Sequence, residues 1–260
     1  RLYLNDNELT FTIPTELGSL TNLLRLYLND NDLTGAIPTE LSNMRNLDQL
    51  QLHTNGLTGT IPADFGMLEN LTELDLHSNA LSGIIPKELG DLMRLRFLDL
   101  YDNELTGVIP RKLGNLKNLE ALRLSNNNLT GKIPTDIGRL ANLENLRLND
   151  NDLWGTIPRQ LATLGKVEVI KLYSNELNGT IPTQLGDLIN LEELDIDDND
   201  LSGMIPADLG NLSSLEELWL SRNKLTGAIP TQLAQLVKVE GLYLYDNELN
   251  GTMPTQLGDL

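Results

Sequence analysis

Residues 23–46, LLRLYLNDNDLTGAIPTELSNMRN, contain the pattern that decides the fold. Near the start of this stretch, residues 26–28 (Leu-Tyr-Leu) alternate as a short strand with one buried face requires. Leu33, Ile37 and Leu41 continue the apolar pattern beyond the strand. We therefore expect one short strand in this stretch and apolar side chains that return to the same core from the other side.

Three residues with special backbone properties divide the stretch. Asn31 carries an amide that can satisfy backbone groups where the chain turns inward. Gly35 permits a positive φ. Pro38 fixes φ and donates no backbone hydrogen bond, which suits the start of a short helical turn. The sequence thus predicts a strand, an inward turn and a short helical piece in this order.

The same stretch recurs along the whole chain with a period of 24 residues. The asparagine marks each copy, at Asn7, Asn31, Asn55, Asn79, Asn103, Asn127, Asn151, Asn175, Asn199, Asn223 and Asn247. A fixed period in the twenties is typical of a solenoid, in which each copy stacks on the next. We expect residues 1–260 to form a single array of about eleven repeats, with a long parallel sheet and a buried ladder of asparagine side chains.

Composition and charge limit the classes of function. The chain has no cysteine, which excludes disulfides, cysteine-ligated metals and a cysteine nucleophile. A net charge of −18 argues against binding nucleic acid or anionic membranes and favours basic partners. No apolar run approaches the roughly 20 residues that span a bilayer. No nucleophile, base and orienting residue can be assembled for hydrolysis, so we expect no enzymatic activity.

The consensus LxxLxLxxNxLTGxIPxxLGxLxN resembles the plant-type leucine-rich repeat, and the resemblance covers the entire chain. It implies an α/β solenoid, a leucine-rich repeat superhelix with a parallel concave sheet, short second strands and 3₁₀ turns on the convex side. The family includes ectodomains of receptor-like kinases and receptor-like proteins, polygalacturonase-inhibiting proteins and an antifreeze protein, and similar repeats occur in algal and diatom surface proteins. The shared activity implied by the resemblance is recognition, without a cofactor.

The chain departs from the family pattern at three points. Family ectodomains usually have caps paired by cysteines, and none can form here. Arg1 and Leu260 both lie inside a repeat, so we expect the chain to be the uncapped core of a longer protein. Phe11 stands where the other ten copies have glycine, so either the first turn has a different conformation or Phe11 contacts a cap.

The variable strand positions are the candidates for ligand binding, because they face the concave side of the predicted sheet. Aromatic and arginine side chains are the usual anchors of protein interfaces, and an apolar group on a solvated sheet face indicates a binding spot. The candidate ligand-binding residues are Phe97, Asp99, Tyr101, Arg123, Arg147, Lys171, Tyr173, Asp195, Trp219, Tyr243 and Tyr245.

Arg123, Arg147 and Lys171 occupy one strand position in three successive repeats, between acidic flanks. Like charges about 4.8 Å apart repel one another, so neighbouring groups must compensate them. One interpretation is an ionic lattice that neutralises itself through nearby glutamates. The other is a stripe that binds an anionic ligand. The glutamates that could neutralise the cations are Glu120, Glu144 and Glu168.

His53 and His77, the only histidines, occupy the same position in adjacent repeats. We expect their side chains to be neighbours, with Asp75 beside them. Two histidines and a carboxylate can ligate zinc, although unligated histidines are the more frequent finding on a solvated sheet. The pair could equally form a weak pH-sensitive patch.

The function that the sequence favours is recognition of a protein, peptide or glycan on the concave sheet, in a secreted or cell-surface protein. Five N-glycosylation sequons are compatible with a secretory setting. They lie at Asn70, Asn128, Asn178, Asn211 and Asn250.

Two other functions stay open. The array could be a structural or adhesive scaffold, or a fixed subunit of a larger assembly. Ice binding is a minor alternative, suggested by the family and by a repeated threonine position. That position holds Thr10, Thr34, Thr58, Thr106, Thr130 and Thr226, and it is interrupted by Trp154, Asn178 and Asn250.

Overall fold

The computed structural model describes residues 1–259. Its Cα positions divide the chain into two compact units, Arg1–Thr130 and a second unit from Gly131 onward. Leu260, which the sequence places inside a repeat, lies outside the described residues. Between residues 1 and 259, no helix is long and apolar enough to cross a bilayer.

Each repeat contributes one strand to a first sheet, one strand to a second sheet and one 3₁₀ helix, which confirms the predicted α/β solenoid of about eleven repeats. The first-sheet strands are β1 (Leu2–Tyr3), β3 (Arg25–Tyr27), β5 (Gln49–Gln51), β7 (Glu73–Asp75), β9 (Phe97–Asp99), β11 (Ala121–Arg123), β13 (Asn145–Arg147), β15 (Val169–Lys171), β17 (Glu193–Asp195), β19 (Glu217–Trp219) and β21 (Gly241–Tyr243). The second-sheet strands are β2 (Thr10–Phe11), β4 (Asp32–Ala36), β6 (Gly56–Thr60), β8 (Ala80–Ile84), β10 (Glu104–Val108), β12 (Asn128–Gly131), β14 (Asp152–Gly155), β16 (Glu176–Gly179), β18 (Asp200–Met204), β20 (Lys224–Gly227) and β22 (Glu248–Leu249). The 3₁₀ helices are Thr15–Ser19, Thr39–Asn43, Ala63–Met67, Lys87–Asp91, Arg111–Asn115, Thr135–Arg139, Arg159–Thr163, Thr183–Asp187, Ala207–Asn211, Thr231–Gln235 and Thr255–Asp259.

Within each unit, first-sheet strands pair in parallel and in register with the sequence repeat. Leu26 in β3 lies opposite Leu50 in β5, and Leu50 lies opposite Leu74 in β7. All three leucines are fully buried. Burial of one such side chain stabilises a fold by about 1.5–3 kcal/mol. The residues on either side of each buried leucine therefore share one outward face, which we call the first-sheet face.

The second sheet has a different register from the first. Thr34 lies opposite Gly56, and Thr58 lies opposite Ala80, so its partners are 22 residues apart rather than 24. Each threonine of the repeated position therefore faces a residue from another position of the repeat. The threonines are not aligned as an in-register row, which the sequence alone does not reveal.

The 3₁₀ helices follow the repeat prolines, as the sequence predicts. Pro38 has φ −64° and ψ 131° and immediately precedes the helix Thr39–Asn43. Leu41, in the middle of this helix, is fully buried. The helices of successive turns approach closely at a repeated glycine. A Cβ on Gly90 would lie 2.5 Å from the carbonyl oxygen of Lys112 in the next helix.

The repeat asparagines form the predicted ladder. The amide nitrogen of Asn79 donates to the carbonyls of Leu76 and His77 in its own turn and of Leu52 in the preceding turn, at 3.1 Å each. Its amide oxygen accepts a hydrogen bond of 3.0 Å from the backbone N–H of Leu57. One side chain thus hydrogen-bonds to four backbone groups of two successive turns, including the N–H of the buried Leu57.

Two classes of residue in each repeat have positive φ. The repeat glycine does so, as expected, with φ 76° at Gly35. Phe11, in the same position of the first repeat, has φ 70°, so its φ resembles that of the glycines. The residue just before each asparagine also has positive φ, including Thr54 at 53° and Arg222 at 49°. None of its eleven members is glycine, but seven are aspartate or asparagine, the other residues that most often adopt positive φ.

Candidate functional site

The first-sheet face carries the residues that the sequence singles out. In the first unit, Phe97 and Asp99 lie in β9, and Arg123 in β11 pairs directly with Asp99. In the second unit, five candidates follow one another as direct partners across neighbouring strands. These five are Arg147, Lys171, Asp195, Trp219 and Tyr243. Tyr101, Tyr173 and Tyr245 lie two residues beyond their strands.

Ion pairs neutralise much of the charge on this face. The guanidinium of Arg123 contacts the Asp99 carboxylate at 3.0 Å, and the ammonium of Lys171 contacts Glu193 at 2.8 Å. Arg147 donates from Nε to Asn145 Oδ1 at 3.0 Å. These contacts favour the neutralised ionic lattice over an open anion-binding stripe.

Glu120, one of the three glutamates that sequence analysis suggested as neutralising groups, has a different partner. Glu120 forms two hydrogen bonds of 2.8 Å with Arg96, one residue before β9. The same Arg96 lies 5.2 Å from the ring centroid of Phe97, within the range of a cation–π contact. Arg123 is therefore compensated by the aspartate beside it on the face, and Phe97 is partly covered by a cation.

Stacked rings run along the face next to this ion pair. His53 and His77 lie 4.4 Å apart between ring centroids with 11° between planes, and Tyr101 stacks on His77 at 4.2 Å and 12°. Asp75 lies beside both histidines, as predicted. Burial and the Asp99 carboxylate raise the pKa of Asp75 to about 7. Burial and the neighbouring His53 lower the pKa of His77 to about 4, and burial lowers the pKa of His53.

The second unit carries an aromatic pair of a different kind. The rings of Trp219 and Tyr243 stack with centroids 3.4 Å apart and planes at 11°. Gly241, which precedes Tyr243 by two residues, has no side chain. A Cβ at that position would overlap Glu217 Oε2 and lie 2.6 Å from the Tyr243 ring. The Glu217 carboxylate therefore occupies the space above Gly241, against the ring pair.

Three buried side-chain oxygens in the turns that carry β17 and β19 lack hydrogen-bond partners among residues 1–259: Asp197 Oδ1, Glu217 Oε2 and Ser221 Oγ. Ser221 is fully buried and Asp197 is 5 % exposed, while the other Asp197 oxygen accepts from Arg222. Burial raises the pKa of Asp195 to about 6. The region is thus rich in acceptors that no group of the described chain satisfies.

Sequence reasoning named Trp219, Tyr243 and Asp195 but not Glu217 or Ser221. The signal that could have found them is the repeat register. Ser221 occupies the same repeat position as His53 and His77, and Glu217 lies at the outward position before the strand leucine. We call Asp195, Asp197, Glu217, Ser221, Trp219 and Tyr243 the acidic–aromatic cluster.

The predicted glycosylation sequons differ in accessibility. Asn128, Asn178, Asn211 and Asn250 are exposed. Asn70 is partly buried, and its amide nitrogen donates to the Arg45 carbonyl at 2.9 Å. The amide nitrogen to which a glycan would attach is therefore already used in a hydrogen bond at Asn70.

Family models for leucine-rich repeats match three parts of the chain, two of which overlap. A "Leucine-rich repeat region" model matches residues 74–204, and shorter "Leucine rich repeat" models match residues 189–249 and 22–44. No curated protein sequence matches the chain.

Solved structures give closer comparisons. The Arabidopsis receptor kinase HAESA, solved with the peptide hormone IDA and the co-receptor SERK1, is 35 % identical with a TM-score of 0.93, over 98 % of this chain and 43 % of that one. The GASSHO1/SCHENGEN3 ectodomain from Arabidopsis thaliana, in complex with CASPARIAN STRIP INTEGRITY FACTOR 2, is 38 % identical with a TM-score of 0.85, over 100 % and 34 %.

A plant ice-binding protein is 34 % identical with a TM-score of 0.75, over 88 % of this chain and 74 % of that one. The chain spans only 34 % and 43 % of the two receptor ectodomains. Family models, repeat geometry and solved structures agree, and the chain belongs to the leucine-rich repeat family, with plant-type repeats like those of receptor kinase ectodomains.

Proposed function

We propose that the chain is a non-enzymatic recognition module that binds a peptide or protein through its first-sheet face, in a secreted or cell-surface protein. The acidic–aromatic cluster is the proposed centre of contact, and a basic side chain of the ligand is the group that it holds. Similarity to receptor ectodomains solved with peptide hormones supports this class of ligand.

The observation that carries the proposal is the set of buried, unpartnered acceptors beside a stacked ring pair. A buried acceptor without a donor costs about 1–3 kcal/mol. Glu217 Oε2, Asp197 Oδ1 and Ser221 Oγ all lack a donor in the described part of the chain. Glu217 is the partly exposed residue of the three, so rotation of its carboxylate would let a guanidinium or ammonium group of a ligand donate to Oε2.

The ring pair favours the same kind of ligand. A cation over the face of tryptophan or tyrosine is attracted by the ring by about 0.5–2 kcal/mol. Trp219 and Tyr243 are both partly exposed on the first-sheet face. The net charge of −18 adds long-range attraction for a basic partner. Charge, donors and ring contacts thus all point to a cationic group.

Selection from a random peptide library displayed on phage tests the proposal. We expect the wild-type chain to enrich peptides rich in arginine or lysine, and Trp219→Ala and Glu217→Gln to bind the enriched peptides at least about tenfold more weakly, since each removes about 1.4 kcal/mol or more of contact.

Trp154→Ala is the matched control, because Trp154 lies in the second sheet, is 46 % exposed and contacts Lys132. It should bind the selected peptides as the wild type does. Unchanged binding by both Trp219→Ala and Glu217→Gln would contradict the proposal. Failure to enrich any peptide would instead favour a scaffold role, in which the array acts as a spacer.

Ice binding is a second candidate, which the similarity to a plant ice-binding protein favours. Thr34, Thr58, Thr106 and Thr130 of the second sheet are exposed. We expect the shifted register of this sheet and the interruption at Trp154 to prevent a regular threonine array. Thermal hysteresis with faceted ice crystals would support ice binding over this expectation, and disc-shaped growth would dismiss it.

A further inference from the structure

Three potential metal ligands converge on the first-sheet face of the first unit, far in sequence from the acidic–aromatic cluster. One nitrogen of His53, one nitrogen of His77 and one oxygen of Asp75 all lie within 4.8 Å of one another. Asp75 is buried, and both histidines are partly buried. The strand register produces this convergence, because residues 24 apart lie side by side on the first sheet.

In both histidines, Nδ1 is hydrogen-bonded to a neighbouring hydroxyl, which helps to orient the imidazole ring. His53 Nδ1 is hydrogen-bonded to Thr54 Oγ1 at 3.1 Å, and His77 Nδ1 to Ser78 Oγ at 3.0 Å. With Nδ1 as the donor in each pair, Nε2 keeps its lone pair. This is the arrangement seen around metal-binding histidines, whose second nitrogen is held by a neighbouring polar group.

Both Nε2 atoms lie near the same carboxylate, one beside each of its oxygens, without hydrogen-bonding to it. His53 Nε2 lies 4.0 Å from Asp75 Oδ2, and His77 Nε2 lies 3.7 Å from Asp75 Oδ1. These separations are too long for hydrogen bonds. They are close to the span of an ion held between the atoms, because Zn–N and Zn–O bonds of about 2.0–2.2 Å place two tetrahedral ligands roughly 3.4 Å apart.

We propose that His53 Nε2, His77 Nε2 and the Asp75 carboxylate bind a divalent transition-metal ion of the zinc class. Imidazole and carboxylate are ligands that zinc accepts, and three protein ligands leave one position open to solvent. The two rings must rotate out of their parallel stack to bind one ion, because a metal lies near the plane of each imidazole that it binds.

The surroundings support a cation at this point. Tyr101 stacks on His77, and His77 stacks on His53, so binding of an ion would exchange part of this stacking for metal ligation. Asp30 Oδ2 lies 3.9 Å from His53 Nδ1 and adds a second carboxylate nearby. A bound ion would link the turns that carry His53 and His77. Its open position would suit a carboxylate of a ligand, a water molecule or a hydroxide.

Proton NMR of the wild-type chain tests the site without any substitution, because His53 and His77 are its only histidines. Zn²⁺ added in a large excess of Mg²⁺ should shift the ring C–H signals of both histidines and saturate at one ion per chain. Mg²⁺ alone should leave them in place, since it prefers oxygen ligands. No shift, or a shift of only one histidine, would overturn the proposal.

Calorimetric titration of Zn²⁺ into the wild type and three variants gives the second test. His53→Gln, His77→Gln and Asp75→Asn should each weaken binding about tenfold or more. A fourth variant, Glu176→Gln, removes an exposed carboxylate from the other unit and should leave Zn²⁺ affinity unchanged, which distinguishes the site from weak general binding to an acidic surface. Equal affinity in the wild type and both histidine variants would overturn the assignment.

Discussion

Trp219 lies face to face with Tyr243, with 3.4 Å between ring centroids. The two residues pair directly in β19 and β21, so the register of the first sheet sets this stack. Tyr243 therefore covers one face of the indole, and Asp195 pairs with Trp219 on the side away from Tyr243. In the proposed function, the exposed surface of this ring pair is the part that contacts a cationic group of the ligand.

Removal of Tyr243 should expose Trp219 to solvent. In a Trp154→Phe background, Trp219 is the only tryptophan and reports on its own surroundings. We expect Tyr243→Ala to increase acrylamide quenching of the fluorescence about twofold, because the covered ring face becomes accessible. Tyr3→Ala, at the same repeat position in the other unit, is the control and should leave quenching unchanged. Equal quenching in the Tyr243→Ala variant and its background would show that the stack does not persist in solution.

Asp195 should make stability depend on pH. Burial raises the pKa of this carboxyl from 3.8 to about 6, so the folded state disfavours its charged form. The stabilisation from the protonated form is complete below pH 3.8 and is lost as the pH rises through about 6. Asp195→Asn should therefore gain stability relative to the wild type, by about 2 kcal/mol more at pH 8 than at pH 4.

Chemical unfolding followed by circular dichroism at both pH values measures this difference. The amide of asparagine can still accept the 3.2 Å hydrogen bond from the Asp197 N–H. Asp64→Asn, at an exposed carboxylate, is the control and should show no such pH-dependent gain. A gain of the same size for both variants would argue against a special environment at Asp195.

Gly90→Ala should destabilise the stack. The added Cβ would lie 2.5 Å from the Lys112 carbonyl oxygen, which is backbone and cannot rotate away. Such overpacking typically costs about 1–3 kcal/mol. Gly165→Ala is the matched control, since nothing among the described residues lies within 4 Å of its Cβ. Thermal unfolding should shift downward for Gly90→Ala only, and a similar shift for both would contradict the close approach.

Phe11→Gly should stabilise the chain. Phe11 has φ 70° and is 80 % exposed, so the substitution relieves a left-handed backbone and removes almost no packing. The expected gain is about 1 kcal/mol. Phe11→Ala keeps a Cβ and thus most of the backbone strain, so it should gain much less in the same thermal unfolding experiment. Equal gains would attribute the effect to loss of the exposed ring.

The repeat made most of the fold predictable. The core contains the repeat leucines, such as Leu26, Leu28 and Leu41. The side-chain amide of Asn31 marks the end of the strand, and the fixed φ of Pro38 marks the start of the 3₁₀ helix. Such features depend on local sequence and on the period alone, so every copy predicts the same structure. The parallel first sheet, the asparagine ladder and the 3₁₀ helices were confirmed for this reason.

The hydrogen-bond and ion-pair partners in the candidate site depend on side-chain rotamers, which the repeat pattern does not specify. Each charged side chain has several partners within reach, and its rotamer decides among them. Glu120 thus pairs with Arg96, although Arg123 is also near it in sequence. The register of the second sheet likewise depends on the backbone path between the sheets, which no single residue marks. The neighbourhood of His53, Asp75 and His77 was predictable, but the orientation of their nitrogens was not.

The asparagine ladder has a direction. Asn79 accepts from Leu57 and donates to Leu52, both in the turn before it, while its two other bonds stay within its own turn. Loss of the turn that carries Asn79 would therefore remove the acceptor of the buried Leu57 N–H, whereas the Leu52 carbonyl would keep the Asn55 amide as its donor. Loss of the preceding turn would leave Asn79 bonded only to the carbonyls of Leu76 and His77, and its amide oxygen would lose the Leu57 N–H. Within each unit, opening the stack consequently leaves a backbone N–H without its acceptor on one side of the gap and an asparagine amide oxygen without its donor on the other.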